Sequence, residues 1–560
     1  MPPESTPAAE VSLPAARRSR RAPLAALLAG GLQALCFAPG PLPAWCLPFV
    51  QIATLAVLAA LTFGADRPRQ AAGLGWLFGL AQFGIGVYWL TISMHTFGGL
   101  PLPLAIAALL LFAAAMAAYA AGACALTAWL CAGHGRPEQR APRQILNAVA
   151  WASAWTLAEW LRGTLFTGFT WLNAGYAHAE GMFAAWAPFA GVYGLAWLSA
   201  FAAAAVALMA RAKDTAYDRS AAAVVGLALL TGLLGIVWGY IPWARPLGEP
   251  LMVRLVQPAT PQSEKFQPEL FLPTQTRIRQ LAALAPKSEA DRPAVVILPE
   301  TVLPIFQDQV PESVWQPWRA AAETMQATFV LGVPLHLAAP TGDRYTNGAI
   351  ALRPQRADAS AAGPAWHYDK HHLVPFGEFI PPGFHWFVRA LNIPLGDFDR
   401  GPARQPPLAV GGQFLALNIC YEDAFGEEIA ATVAPDGPDA PGASILVNLS
   451  NLAWFGNSWA LRQHLWIARM RALETARPMV RATNTGATAV IDARGQVLGA
   501  LDPGRPGVLD AEVQGAQGLT PYVRWGNLPI LIWTLLGLLL AARARRYPPA
   551  CPRSRCSNAA

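Results

Sequence analysis

The stretch FLALNICYEDAF, residues 414–425, runs apolar as far as Ile419 and then turns abruptly to Cys420, Tyr421, Glu422 and Asp423. A short apolar run bounded by polar residues reads as a buried strand, and the thiol followed by two acids marks its end. Working outward, LMVRLVQ (251–257), AVVILPE (294–300), TFVLGVP (328–334) and SILVNLSN (444–451) read as further strands. Residues 274–285, 312–327 and 459–475 carry helical apolar spacing instead. Strands alternating with helices across residues 251–515 predict an α/β layered domain, long enough to bury a substantial core. In such sheets chemistry collects where strands end and loops begin, and three predicted strand ends carry reactive groups: Glu300, Lys370 and Cys420.

The remainder of the chain is of another kind. Of 560 residues 54% are hydrophobic and only 13% charged, with 21 tryptophans, which is too apolar for an ordinary soluble protein. Apolar runs near 22–38, 44–64, 71–93, 102–132, 145–162, 186–210, 220–243 and 527–543 are candidate membrane spans, judged against the roughly 20 residues needed to cross about 30 Å of hydrocarbon. The formal charge of +7 follows these spans, which argues for bilayer orientation and against nucleic-acid binding. One set of alternate loops holds Arg17, Arg18, Arg20, Arg21, Arg67, Arg69, Arg136, Arg140, Arg143, Arg211, Lys213, Arg219, Arg543, Arg545, Arg546, Arg553 and Arg555; the opposite set holds only Arg162. Positive residues favour the cytoplasmic side. The expectation is a cytoplasmic tail (1–21), a seven-helix membrane domain (22–245), an outer domain (251–515), a last span (527–543) and a cytoplasmic tail (544–560). SRRAPL (19–24) and LQALC (32–36) each approximate a targeting signal, but Leu35 is too large for a lipoprotein cleavage box. No small-residue cleavage site precedes Pro39, so the first span reads as a retained anchor.

Of seven cysteines only Cys420 falls in the outer domain, so it has no disulfide partner there. A lone cysteine is compatible with a small buried hydrophobe. The adjoining YED argues for a reactive thiol, which needs a base or a depressed pKa to become a nucleophile. Glu300 is a candidate base if an apolar neighbourhood raises it, and equally an exposed acid opening a turn. Lys370, in YDKHHLVPFGEFIPP (368–382), reads either as a solvated charge or as an ammonium that stabilises an oxyanion, worth about 3 kcal/mol when well placed. The adjacent His371 and His372 point opposite ways on a strand and lack a metal-ligand spacing, so no metal is expected.

The order Glu, Lys, Cys on LPET (298–301), DKHHLVPFGEFIP (369–381) and NICYEDAF (418–425) resembles the nitrilase superfamily. Joined to a multi-span N-terminal half and a last anchor, it is similar over nearly the whole chain to the apolipoprotein N-acyltransferase family. AEWLRGTLFTGFTWLNAGYA (158–177), VQPATPQSEKF (256–266) and the block 448–486 resemble further segments of that family; Thr170 replaces a frequent proline, and Phe266 stands where an aromatic, often Trp, is usual. The resemblance implies an α-β-β-α sandwich with about eight transmembrane helices and the catalytic domain on the periplasmic side of a bacterial inner membrane. It further implies a ping-pong acyl transfer without cofactor, from a membrane phospholipid to the α-amine of a diacylglyceryl-cysteine on an apolipoprotein. Cys420 would be the nucleophile, Glu300 the general base and acid, and Lys370, with a backbone N–H near Tyr421, the oxyanion donor. Glu378 and Glu422 resemble supporting acids, placed to order Lys370 or to form structural ion pairs. Phe266, Trp386, Trp454, Phe455 and Trp459 are candidates for an acyl path, or for core packing. Glu, Lys and Cys alone also fit a membrane-tethered amidase or nitrilase that uses water as second nucleophile. A transporter with an idle outer domain would call for ionisable midplane residues or internal repeats, which the spans lack.

Overall fold

The computed structural model describes residues 21–131, 140–211, 215–338, 342–354, 366–381, 383, 397–437 and 440–546. Residues 1–20, Arg136, Lys213, Trp386 and the tail from 547, with Arg553, Arg555, Cys551 and Cys556, lie outside them.

All eight apolar segments are helical: α1 Ala22–Ala34, α2 Leu47–Phe63, α3 Pro68–Gly86, α4 Leu102–Cys131, α5 Arg140–Thr164, α6 Ala187–Ala210, α7 Thr215–Trp238 and, at the end of the chain, Leu528–Arg546. Five of these are long and apolar enough to cross a membrane, and a sixth is so if α3 is joined to the turns Leu90–Phe97 across a 58° bend. The bend breaks the expected continuous span 71–93. Helix α1, of 13 residues, stops short of the predicted 22–38, and α5 carries Glu159 and Arg162, which lowers its hydropathy. The helices approach closely through small residues: a Cβ on Gly79 of α3 would lie 2.7 Å from Ala117 Cα of α4. The last helix buries Ile530, Thr534, Gly537 and Ala541 and exposes Leu528, Ile532, Leu535, Leu536 and Leu539. An apolar face turned outward is the reverse of a water-soluble helix and suits a lipid surround.

Residues 251–513 fold into two six-stranded sheets. The strands are β1 Leu251–Gln257, β2 Val295–Ile297, β3 Thr328–Leu337, β4 Arg344–Leu352, β5 His367–Asp369, β6 Leu408–Val410, β7 Gln413–Ile419, β8 Ile445–Ser450, β9 Met479–Thr483, β10 Ala489–Ile491, β11 Val497–Ala500 and β12 Gly507–Val513. One sheet has the order β12-β1-β2-β3-β4-β5, the other β11-β10-β9-β8-β7-β6. Each is parallel at its centre, β1-β2-β3 and β7-β8-β9, and antiparallel at its edges.

Period-two alternation explains the layering. Val253, Leu255, Ile297, Leu417, Ile419, Val447 and Leu449 meet between the sheets. Their alternates Val256, Val296 and Phe329 face the helices Pro268–Ala282 and Glu312–Met325, while Ala416, Leu446 and Met479 face Gly426–Val433 and Trp459–Thr475. The result is the α-β-β-α sandwich that the resemblance implied. Burial on both faces also explains why the central strands read as continuous apolar runs.

Candidate active site

Glu300 follows β2, Lys370 follows β5 and Cys420 follows β7. Two of these strands belong to one sheet and the third to the other, so the site lies across the seam of the sandwich, at the carboxyl ends of the parallel strands. Glu300 sits in a sharp turn, with Thr301 at φ 50°. Gly332 on the neighbouring β3 leaves room for it, since a Cβ there would lie 2.4 Å from Pro299 O.

Lys370 is fully buried, its Nζ 2.8 Å from Glu378 Oε1 and 3.5 Å from Glu300 Oε1. Asn347 Nδ2 donates to both of those carboxylate oxygens, at 2.8 Å for Glu300 and 2.6 Å for Glu378. The remaining oxygens accept from backbone: Glu300 Oε2 from Asn451 N at 2.9 Å, and Glu378 Oε2 from Val374 N at 2.8 Å. Burial pulls the Lys370 pKa down, but the Glu378 and Glu300 charges outweigh it and hold the ammonium above its ordinary range. A second lysine, Lys265, donates to the Glu300 backbone carbonyl at 3.2 Å, and burial pushes its pKa down to about 8 against the pull of Glu300.

The strand leading to Cys420 ends at Ile419, and Cys420 itself takes a left-handed φ of 53°. For a non-glycine residue this costs on the order of 1 kcal/mol or more and needs support from its surroundings. Glu422 supplies part of that support. Its oxygens accept from Ile419 N at 2.6 Å, Tyr368 OH at 2.9 Å, His371 N at 2.6 Å and His372 N at 3.0 Å. It therefore ties the cysteine turn to the backbone just after Lys370, and does so without bonding the ammonium. Burial pushes its pKa up to about 6, opposed by Lys370 and the amides. The half-buried Cys420 thiol is pushed well above its usual pKa by burial and by the Glu300 charge, with Lys370 pulling the other way.

Four of the aromatic candidates, Phe266, Trp454, Phe455 and Trp459, pack against one another or against rings of the helical domain. Phe266 and Trp454 rings lie 6.3 Å apart, Trp454 meets Phe97 at 5.8 Å, Phe455 meets Trp89 at 4.5 Å and Trp459 meets Tyr88 at 5.3 Å. Tyr88 and Trp89 lie at the bend of the broken span, and Phe97 at the far end of the turns that follow it. Tyr421 turns its hydroxyl to Gly168 O at 3.0 Å and stacks on Trp171. His371 and His372 serve the same seam: His371 Nδ1 meets Gly401 O, and His372 meets Glu428 and, from Nε2, Thr167 O at 2.9 Å. Sequence reasoning missed Asn347, Asn451, Gln463 and the buried trio Asp423, His464 and Arg481. Asn451 and Arg481 interrupt apolar runs, but the others adjoin further polar residues and carry no local signal of their own. Gln463 accepts from the indoles of Trp89 and Trp171, each at 2.9 Å, and donates to Gly86 O at the helix break.

A sandwich of this topology, with acid, lysine and thiol at strand ends and an apolar helical domain docked beside them, defines a membrane-attached protein of the carbon–nitrogen hydrolase class. Residues 253–521 match the carbon-nitrogen hydrolase family model, and residues 29–205 match that of the apolipoprotein N-acyltransferase N-terminal domain. The chain is 50% identical over 538 residues to an apolipoprotein N-acyltransferase of Bordetella bronchiseptica, covering 94% of this chain and 97% of that one. It is 45% identical over 550 residues to one of Ralstonia nicotianae, covering 97% and 98%. Among solved structures, an amidase from Nesterenkonia sp. AN1 is 20% identical, with a TM-score of 0.35, covering 51% of this chain and 97% of the amidase. The chain belongs to the apolipoprotein N-acyltransferase family.

Proposed function

We propose that this protein moves an acyl chain from a membrane phospholipid to the free α-amine of a diacylglyceryl-cysteine at an apolipoprotein N-terminus, through a thioester on Cys420. The observation that carries the reading is that Glu300 and Lys370 lie 3.5 Å apart on one sheet while Glu422 ties the Cys420 turn of the other sheet to the backbone just after Lys370, and Asn451 N reaches Glu300. Glu300 takes the Cys420 proton as sulfur attacks the donor ester carbonyl, and Lys370 with the backbone N–H near Tyr421 stabilises the oxyanion. The tetrahedral intermediate collapses, Glu300 returns the proton to the leaving alkoxide, and lysophospholipid departs. The lipopeptide amine then attacks the thioester, Glu300 accepts its proton, and the thiol is regenerated as the amide forms. Glu378 and Asn347 hold Lys370 and Glu300 in register. Both substrates are lipids, and withdrawing each CH₂ from the bilayer costs about 0.8 kcal/mol, so the site must lie at the membrane.

On this reading the chain crosses the inner membrane eight times, seven times before residue 245 and once after 525. The arginine-rich ends face the cytoplasm, and residues 251–515 sit on the periplasmic side. Incubation with labelled phospholipid and a diacylated lipopeptide tests the assignment. The expected results are an acylated peptide and, without peptide, a hydroxylamine-labile acyl adduct that is absent from Cys420→Ala. Free fatty acid or ammonia without acylated peptide would favour a hydrolase and sink the proposal.

A further inference from the structure

We propose that His464, neutral and carrying its proton on Nε2, is a positioning residue for the nucleophile, holding the Cys420 backbone in the turn that presents the thiol to Glu300 and Lys370. The inference rests on Cys420 being the nucleophile, as put forward above.

The imidazole lies in a fully buried group with Asp423 and Arg481, each without solvent exposure. Arg481 Nη2 lies 2.8 Å from His464 Nδ1, and a guanidinium can only donate, so Nδ1 is the acceptor. The proton therefore sits on Nε2, which faces Asp423 Oδ1 at 2.7 Å and Cys420 O at 3.1 Å. Arg481 Nη1 closes the ring of contacts by donating to Asp423 Oδ2 at 2.9 Å and to His464 O at 3.0 Å. Arg481 and Asp423 balance one another's charge, so the ring needs none of its own. The arrangement fixes one tautomer, and that tautomer points its N–H toward the nucleophile's own carbonyl.

That carbonyl matters because Cys420 leaves the strand ladder in the left-handed region. Its oxygen is no longer placed to continue the sheet, and an unpaired buried carbonyl costs about 1–3 kcal/mol. Two side chains meet it, His464 Nε2 and Asn448 Nδ2, the latter at 3.2 Å. Asn448 is also bound to Asn418 Oδ1 at 2.6 Å. Trp171 of the helical domain stacks on the imidazole at 5.6 Å and 23°, and donates to Gln463, the residue before it. The orientation of the nucleophile's backbone is thus set from behind by a histidine whose own plane is set by the membrane-associated part of the chain.

The test uses the full-length protein in detergent and follows acyl-Cys420 formation from phospholipid by intact mass spectrometry. Leucine at 464 fills similar volume without a donor, whereas glutamine places an N–H at nearly the reach of Nε2 and asparagine falls short of it. His464→Leu and His464→Asn are expected to slow acylation at saturating phospholipid by roughly 30- to 100-fold, the scale of a misplacement of about 1 Å. Half-saturating phospholipid should stay within about two-fold, and His464→Gln should recover to within about five-fold of wild type. Should leucine prevent folding, the asparagine and glutamine pair carries the same comparison. Wild-type rates in His464→Asn, or equal slowing in the asparagine and glutamine variants, overturns the positioning role while leaving the nucleophile assignment intact. A wild-type protein that takes no acyl group on Cys420 overturns that assignment and this inference with it.

Discussion

Replacing Lys370 with methionine removes an ammonium that lies between two buried carboxylates. Nζ lies 2.8 Å from Glu378 and 3.5 Å from Glu300, so at an effective dielectric near 20 the lost attractions are about 6 and about 5 kcal/mol before desolvation. Burying the ammonium offsets much of that gain, and breaking such a pair typically leaves a net loss of about 3–5 kcal/mol. Glu300 and Glu378 would then share only Asn347, and like charges at that range drive one of them to bind a proton. A carboxyl raised in the folded state contributes stability below its unfolded pKa and loses it as pH climbs through the folded value. The deficit of Lys370→Met should therefore be largest near neutral pH and shrink on acidification. On the proposed mechanism, loss of Lys370 as oxyanion donor adds about 3 kcal/mol to the acylation barrier, or roughly 10²- to 10³-fold in rate. Thermal unfolding in detergent at two pH values and single-turnover acylation read by intact mass separate the two effects. A folded Lys370→Met protein that acylates Cys420 within about five-fold of wild type would refute the reasoning.

Glu422 is raised from 4.5 to about 6, so its contribution to stability is fully present below 4.5 and lost as pH rises through about 6. That amounts to roughly 2 kcal/mol; unfolding free energies of Glu422→Gln, measured by denaturant titration, should be flatter across that window. Gln463→Leu leaves two indole donors and the Gly86 carbonyl without their partner, at about 1–3 kcal/mol each, and should lower the midpoint of thermal unfolding by several degrees. An unchanged midpoint would mean the catalytic and helical parts are held by other contacts. Trp454→Ala opens the ring contacts to Phe266 and Phe97 and should raise the share of free fatty acid relative to acylated peptide, measured by chromatography of labelled products.

The sheets were legible because burial on both faces made their central strands continuous apolar runs: Leu251–Gln257, Thr328–Leu337 and Ile445–Ser450 were all found, as was the helix Trp459–Thr475. The edge strands β6 and β11 escaped, being only three and four residues long with exposed positions, as did β10, also of three residues. So did β4, β9 and β12, where polar residues such as Thr346, Asn347, Arg481, Asp510 and Glu512 interrupt the apolar run. Helix boundaries in the membrane part were less legible. Hydropathy cannot register the turn at Gly86, because the bend keeps its apolar composition while changing direction. In the site, Glu300, Lys370 and Cys420 stood out as reactive groups at strand ends, whereas Asn347, Asn451 and His464 did not. Their importance comes from partners between 44 and 151 positions away, and no local pattern carries such a pairing.

Convergence at this distance is possible because the two sheets divide the labour. The sheet carrying β2, β4 and β5 brings acid, amide and ammonium together as one preassembled set, linked by Asn347. The sheet carrying β7 and β8 presents the thiol, with Asn451 N reaching back to Glu300 Oε2. Glu422 then crosses between the sheets by accepting from Ile419 on one side and His371 and His372 on the other. A small slip of one sheet over the other would leave each half intact and still separate thiol from base, so the cross-sheet contacts are where geometry is controlled. The helical domain touches those same contacts: Thr167 O meets His372, Gly168 O meets Tyr421, and Trp171 stacks on both Tyr421 and His464. The segment 167–171 therefore joins the apolar helical part of the chain to the backbone around Cys420, which on the proposed mechanism aims the thiol.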